Sequence, residues 1–325
     1  MKDPMAILVA AFPFFFAAAF SFFAAGALFG LAPIVFWTYF LGSVVLVTGL
    51  IVAFRRDIPR ARGLDKVICL GPVFYATPLA VFAGEHFTVT RGMAGMVPHY
   101  LPWHIFWVLF VGVALVCAAL SLAVGRLAGL AAALLGLMFF IFVALMDVES
   151  VAAHLHNRFA WTLMLRELSF GVCALAFAST LANGRWRPAG ERFATVARYV
   201  MGVVVIFYGV EHFLHPQFVP VIPLELPLPT WMPLHPVISY GVGAVMVVAG
   251  LAMLANWHAR TATAILGLVI CVVVLVVYGP ILAVKFSDID VGMNYFADTL
   301  FFGGAILILA GSMPPEHGER ARRLS

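Results

Sequence analysis

Apolar runs long enough to cross a membrane follow one another along almost the whole chain. A helix of about 20 apolar residues spans the roughly 30 Å hydrocarbon core of a bilayer. We identify ten such runs, at about 5–29, 34–54, 67–85, 104–124, 127–147, 160–182, 196–214, 236–256, 261–284 and 294–312. Only 10% of the 325 residues are charged, against about 25% in soluble domains. The sequence therefore predicts an all-α membrane protein of about ten spans, with no sizeable soluble domain.

Basic residues are unequally distributed between the two ends of these spans. If both termini lie in the cytoplasm, fifteen Lys and Arg residues are inside and four are outside. Cytoplasmic loops of membrane proteins carry an excess of positive charge, so the distribution predicts that both termini are cytoplasmic. It also accounts for the net charge of +4, with the lipid bilayer as the partner and without a role for nucleic acid.

A Glu-His-Phe triplet occurs twice, at 85–87 and at 211–213, each time at the end of an apolar run. Ionisable residues at such positions are costly and often functional. The triplets are 126 residues apart, and after a longer second loop the offset becomes 131, so that His104 matches His235. A nearly constant offset over about 110 residues predicts an internal duplication.

The duplication divides the chain into three parts. Residues 1–66 form an N-terminal two-helix segment, 67–195 a first four-helix unit and 196–325 a second. Both units have an even number of spans and insert in the same orientation. We therefore expect parallel repeats, related by an axis along the membrane normal, each folded as a four-helix bundle.

Polar residues collect at the ends of the spans that this topology places outside the cell. Each triplet precedes a Pro-rich outer loop, at 97–104 and at 220–236. Proline excludes regular helix there, and the loops are apolar, which predicts a lid or interfacial plug. The cytoplasmic half of the bundle carries few ionisable groups, which argues against a continuous polar path and against an ion channel. The pattern favours a pocket that opens outward.

The residues of the triplets are the first candidates for chemistry. A Glu-His pair offers general acid–base catalysis, an oriented imidazole, or a metal or haem ligand. The candidate catalytic residues are Glu85, His86, Glu211 and His212. The candidate cofactor-binding residues are His104, His235, Trp103, Trp231, Arg166 and Asp298. Arg166 and Asp298 occupy equivalent places in the two units, and a contact between them is predicted.

Structural interpretations of the same residues stay open. His104 and His235 also fit the role of helix caps or interfacial residues. Glu85 and Glu211 also fit that of hydrogen-bond acceptors for the Pro-rich loops. The tryptophans are typical of the membrane interface.

A unit with an aromatic-Gly-x-Glu-His-Phe ending and a Pro-rich outer loop resembles the DoxX/DoxD-like membrane proteins. The matching residues are Tyr208–Phe213, Trp231–His235, Gly243, Gly250 and Gly267-Leu268 in the second unit, and Glu85–Phe87, Pro102–His104, Gly112 and Gly136 in the first. The resemblance covers about 230 residues. It implies four-span units, a bacterial inner membrane and, for some members, association with quinone-linked oxidoreductases. The tandem copy, the extra N-terminal spans and Asp147 depart from the family pattern.

Three functions follow from these observations. The first is a membrane oxidoreductase component that binds a quinone, or another lipophilic redox partner such as haem, in an outward-facing pocket of each unit. The second is a non-enzymatic binder or carrier of a lipid, a hydrophobic small molecule or a metal. The third is a structural or assembly subunit that associates with other membrane subunits.

Overall fold

The computed structural model describes residues 30–181, 187–232 and 235–316. The run predicted as the first span, 5–29, lies outside the described residues. Within the described ranges the regular secondary structure is helical, and an isolated antiparallel bridge joins Phe218 and Pro227.

Nine long helices make up the described part of the chain. They are α1 Pro33–Val52, α2 Gly71–Thr88, α3 His104–Val124, α4 Ala128–Phe142, α5 Arg158–Thr180, α6 Arg187–Leu214, α7 His235–Ala255, α8 Ala259–Val273 and α9 Asn294–Ser312. Short helical segments extend or connect them, at Ala53–Asp57, Ile58–Arg60, Asp65–Ile68, Thr90–Met93, Ala94–Met96, Val143–Asp147, Val148–Ala153, Gly279–Val284 and Ile289–Met293, with a π-helical turn at Val274–Tyr278.

Nine helical segments of this part of the chain are long and apolar enough to cross a membrane. They coincide with the second to tenth predicted spans. The prediction of a helical, multi-pass membrane protein embedded in a lipid bilayer is therefore confirmed in outline.

The long helices pack in chain order. Contacts connect each helix from α2 to α9 with the next and return from α9 to α2, while α5 and α9 meet across the middle. Helix α1 lies against α2 and α3. The sequence predicts two bundles side by side, yet extensive contacts cross between the predicted units. Helix α2 packs on α9, and α6 packs on α5.

Helix α9 is the central element of this arrangement. A Cβ atom at Gly304 would overlap the backbone nitrogen of Tyr75, so the backbones of α9 and α2 are in direct contact there. The ring of Phe301 lies 4.4 Å from that of Tyr75 and 4.0 Å from that of Phe170 on α5, measured between centroids. Small residues permit such approach between membrane helices, where the hydrophobic effect does not drive association. The polar residues one turn earlier on α9 are thereby held between α2 and α5.

Several helix boundaries recur at the offset seen in the sequence. Helices α4 and α8 begin 131 residues apart, at Ala128 and Ala259, and each continues into a π-helical turn. The preceding residues, Leu127 and His258, both have positive φ, at 56° and 44°. These local geometries follow the repeated sequence pattern.

Candidate functional site

An ion pair joins the two central helices. Arg166 of α5 donates from Nη1 to Oδ2 of Asp298 on α9 over 2.6 Å, and from Nη2 to Oε1 of Glu167 over 3.5 Å. The predicted contact between Arg166 and Asp298 is thus present. Asp298 is buried, and a charge in such a place requires a partner. The pair therefore fixes the relative position of α5 and α9.

Carboxyl groups surround this arginine in excess. The Asp147 and Glu167 carboxyls lie within hydrogen-bonding reach of each other. Glu85, at the end of α2, lies beside Asn294 and within electrostatic range of Asp298 and Asp290. We call this group the carboxyl cluster: Glu85, Asp147, Glu167, Asp290 and Asp298, with Arg166 and Asn294. Its carboxyl groups outnumber its one cation.

Several buried atoms of the carboxyl cluster form no hydrogen bond within the described structure. They are Oε1 of Glu85, Oδ2 of Asp147, Nε of Arg166 and Oδ1 of Asn294. Buried polar atoms almost always have a partner, so each such atom requires an explanation. Three of the four are acceptors. Their concentration in one place indicates a site that can accept hydrogen bonds from a small molecule.

The matched carboxyl of the second triplet has a different environment. Glu211 accepts a hydrogen bond from Nη1 of Arg158 over 3.2 Å, and Nε2 of His215 lies 3.7 Å from the same oxygen. Arg158 also donates to the carbonyl of Pro223 over 2.9 Å. The residue 131 positions after Arg158 is Ile289. The cation that compensates Glu211 is therefore replaced by an apolar residue at the corresponding position beside Glu85.

His212 is engaged by the backbone at both ring nitrogens. Nδ1 bonds the carbonyl of Tyr208, which only accepts, so Nδ1 carries the hydrogen. Nε2 accepts from the backbone N–H of Val221 over 2.7 Å. In this conformation His212 is a neutral imidazole with no nitrogen left for a ligand. It serves to hold the chain at Val221, whose φ of 85° is unusual for a β-branched residue.

The chain around Val221 forms a buried plug. Residues 219–224 are all buried, although they belong to no helix. Tyr278 of the π-helical turn after α8 donates its hydroxyl to the carbonyl of Pro220, and Arg158 holds Pro223. Irregular backbone is tolerated at membrane depth when protein buries it and satisfies its polar groups. This segment agrees with the plug predicted from the prolines.

The first Pro-rich loop has no such burial. Trp103 is 77% exposed and Trp231 is 51% exposed, as expected for interfacial aromatics. His104 begins α3, where no side chain caps the helix. His86 shares one bond with its counterpart, between Nδ1 and the carbonyl of Phe82 over 2.7 Å. The side chain of His235 lies outside the described residues.

The structure brings together some candidate residues and adds others. Glu85, Arg166 and Asp298 lie in the carboxyl cluster, whereas Glu211 and His212 lie around the plug. The sequence analysis missed Asn294 and gave no role to Asp147, Glu167 or Asp290. The signal for Asn294 was its spacing, because a residue four positions before Asp298 lies on the same helix face.

The described residues contain no group of three or more His, Cys, Asp or Glu arranged to hold a metal ion. No protein-family model, curated protein or solved structure matches the chain. Function is therefore argued from the residues.

The carboxyl cluster extends from the surface to the core. Asp290 is exposed, whereas Glu85 and Asp298 are buried. Chains of carboxyl groups in membrane proteins pass protons or bind polar ligands. The arrangement can accept hydrogen bonds at Glu85 and exchange protons with the surface through Asp290.

Proposed function

We propose that this membrane protein binds a lipophilic hydrogen-bond donor of the quinol class among α2, α5 and α9, with Glu85 as its acceptor. One observation carries the proposal. Oε1 of Glu85 is buried and forms no hydrogen bond, whereas the matched Glu211 is paired with Arg158. A buried acceptor without a partner loses its hydration and gains nothing in return. A ligand hydroxyl would supply the missing bond.

The charge of the carboxyl cluster favours this ligand class. Five carboxyl groups around Arg166 favour donors over anions, because an anion would be repelled at short range. A quinol carries hydroxyl donors, whereas the corresponding quinone carries only acceptors. In the proposed proton transfer, a quinol O–H bond breaks, the proton goes to the Glu85 carboxylate and the ring oxygen keeps the electron pair. Asp290 then offers a route to the surface.

The proposal extends to architecture and origin. We regard 67–195 and 196–325 as two homologous four-helix units of DoxX/DoxD-like type, in a bacterial inner membrane with cytoplasmic termini. The recurrence of helix boundaries at an offset of 131 residues supports the duplication. Further support comes from Gly112 and Gly243, where an added Cβ would lie 2.9 Å from the Cβ of His86 and of His212, respectively. In this proposal the first unit binds the ligand and the second is closed by its plug.

The test compares two matched carboxyl residues. Binding of decylubiquinol to the protein in lipid nanodiscs is measured by equilibrium dialysis, for the wild type, E85Q and E211Q. We expect E85Q to weaken binding about tenfold, as for the loss of one charged hydrogen bond, and E211Q to leave it unchanged. Decylubiquinone should bind more weakly than the quinol. Equal binding by E85Q and the wild type would overturn the proposal.

A second candidate is a carrier without proton exchange. It is favoured by His212, whose two nitrogens are both bonded to backbone atoms and which therefore holds structure in the second unit. Lipid extracts of the purified protein distinguish the candidates. Co-purified quinol supports the first candidate, and a lipophile of another class supports the carrier. The alternative of an assembly subunit predicts neither, and only mild effects of both substitutions on the association of partner subunits.

A further inference from the structure

A cleft lies at the opposite end of the helices from the carboxyl cluster. It has a volume of about 100 Å³ and lies between the end of α1, the start of α2 and the ends of α3 and α5. Its walls are largely apolar, with Gly49, Val52, Val73, Leu122, Ala123 and Phe177 among them. A cleft of this size and lining has room for a short length of one acyl chain.

A cation is held at the mouth of this cleft. Arg56 lines it together with Asp57, and Nε of Arg56 donates to Oδ1 of Asp57 over 3.1 Å. The rest of the guanidinium lies over Gly125, where a Cβ atom would be 2.8 Å from Nη2. Gly125 has a φ of 75°, a conformation that glycine adopts at little cost. The glycine therefore leaves space for the Arg56 side chain at the rim.

The loop that follows Arg56 is strongly basic. Arg55, Arg60, Arg62 and Lys66 are exposed and form no ion pair within the described residues. Asp65, an acidic residue of this loop, is bonded to Arg260 over 2.5 Å. The positive charge of the loop is thus not neutralised by its own carboxylates. It is presented where the helices end, at the level of lipid headgroups.

We infer that this cleft is a binding site for an anionic phospholipid. The phosphate lies against Arg56 and the neighbouring basic residues, and part of one acyl chain enters the apolar cleft. Basic residues next to a membrane helix attract anionic lipids, and basic pockets between helices bind their headgroups. The combination of an apolar slot with a cation at its mouth matches the two parts of such a lipid. Neither part depends on the proposed quinol site.

An alternative role for Arg56 is structural. The guanidinium lies next to Gly125, at the carboxyl end of α3, where a cation stabilises the helix dipole. That role alone would give no preference between lipids. A measurement of lipid selectivity therefore separates the two.

The test is native mass spectrometry of the full chain with palmitoyl-oleoyl phosphatidylglycerol or phosphatidylcholine. We expect the wild type to retain phosphatidylglycerol preferentially, R56Q to reduce that retention about tenfold, and R62Q to reduce it about threefold or less. R62Q makes the same change of charge outside the cleft lining. Equal retention of both lipids by the wild type, or equal effects of R56Q and R62Q, would overturn the inference.

A second pair of variants tests the cleft itself. V52W places a large ring in the lining, whereas V47W places it on an exposed position of the same helix. We expect V52W to lose bound phosphatidylglycerol and V47W to keep it. Thermal melting of each variant checks that it is folded. Retention of the lipid by a folded V52W would contradict the placement of the acyl chain.

Discussion

Glu85 and Glu211 occupy equivalent positions in the two Glu-His-Phe triplets, yet only Glu211 is paired with a cation. The partner of Glu211 is Arg158, which is itself tied to the plug through the carbonyl of Pro223. Glu85 instead lies beside Asn294, in range of Asp298. Two copies of one motif have thus come to differ in charge balance. We assign ligand binding to the first and closure to the second.

This difference predicts opposite effects on stability. E211Q leaves Arg158 without its buried carboxylate and should lower the free energy of unfolding by about 1–3 kcal/mol. E85Q removes a carboxylate that has no cation, so it should be neutral or stabilising. The check is denaturant unfolding in detergent micelles, with both variants measured under identical conditions. A larger loss of stability for E85Q than for E211Q would contradict the assignment.

The ion pair between α5 and α9 predicts a non-additive effect. R166M and D298L should each destabilise the protein by about 3–5 kcal/mol, because each leaves a buried charge without its partner. The double variant should be less destabilised than the sum of the two. A double-mutant cycle measures this coupling directly. Simple additivity would show that the 2.6 Å contact contributes little to the packing of the two helices.

Much of the fold was predictable from the sequence, because span length and apolarity are local properties. The contact between Arg166 and Asp298 was also predictable, since equivalent places in two repeats suggested it. The neighbours of Glu85 were not. Its environment depends on the packing of α2 against α9, helices from different predicted units. Sequence periodicity gives the faces of a helix but does not say which distant helix covers each face.

The plug predicts a specific role for one of two matched histidines. H212A removes the acceptor of the Val221 N–H and should free residues 219–224, which His212 helps to hold. Hydrogen exchange of this segment should then become faster. H86A is the matched control, because His86 shares the bond to the preceding turn without holding the plug. Unchanged exchange in H212A would show that Tyr278 and Arg158 hold the segment without it.

The close contact of α2 and α9 predicts that one added methyl group will disturb the ligand site. G304A places a Cβ atom against the backbone of Tyr75, which cannot rotate away, so the helices must separate at a cost of about 3 kcal/mol or more. Glu85 on α2 and Asp298 on α9 would then move apart, and decylubiquinol binding should fall together with the melting temperature. G311A is the control on the same helix, because its Cβ would lie 3.2 Å from the terminal Cγ2 of Ile68, a side chain that can shift. Wild-type binding and stability in G304A would show that the spacing of α2 and α9 does not control the site.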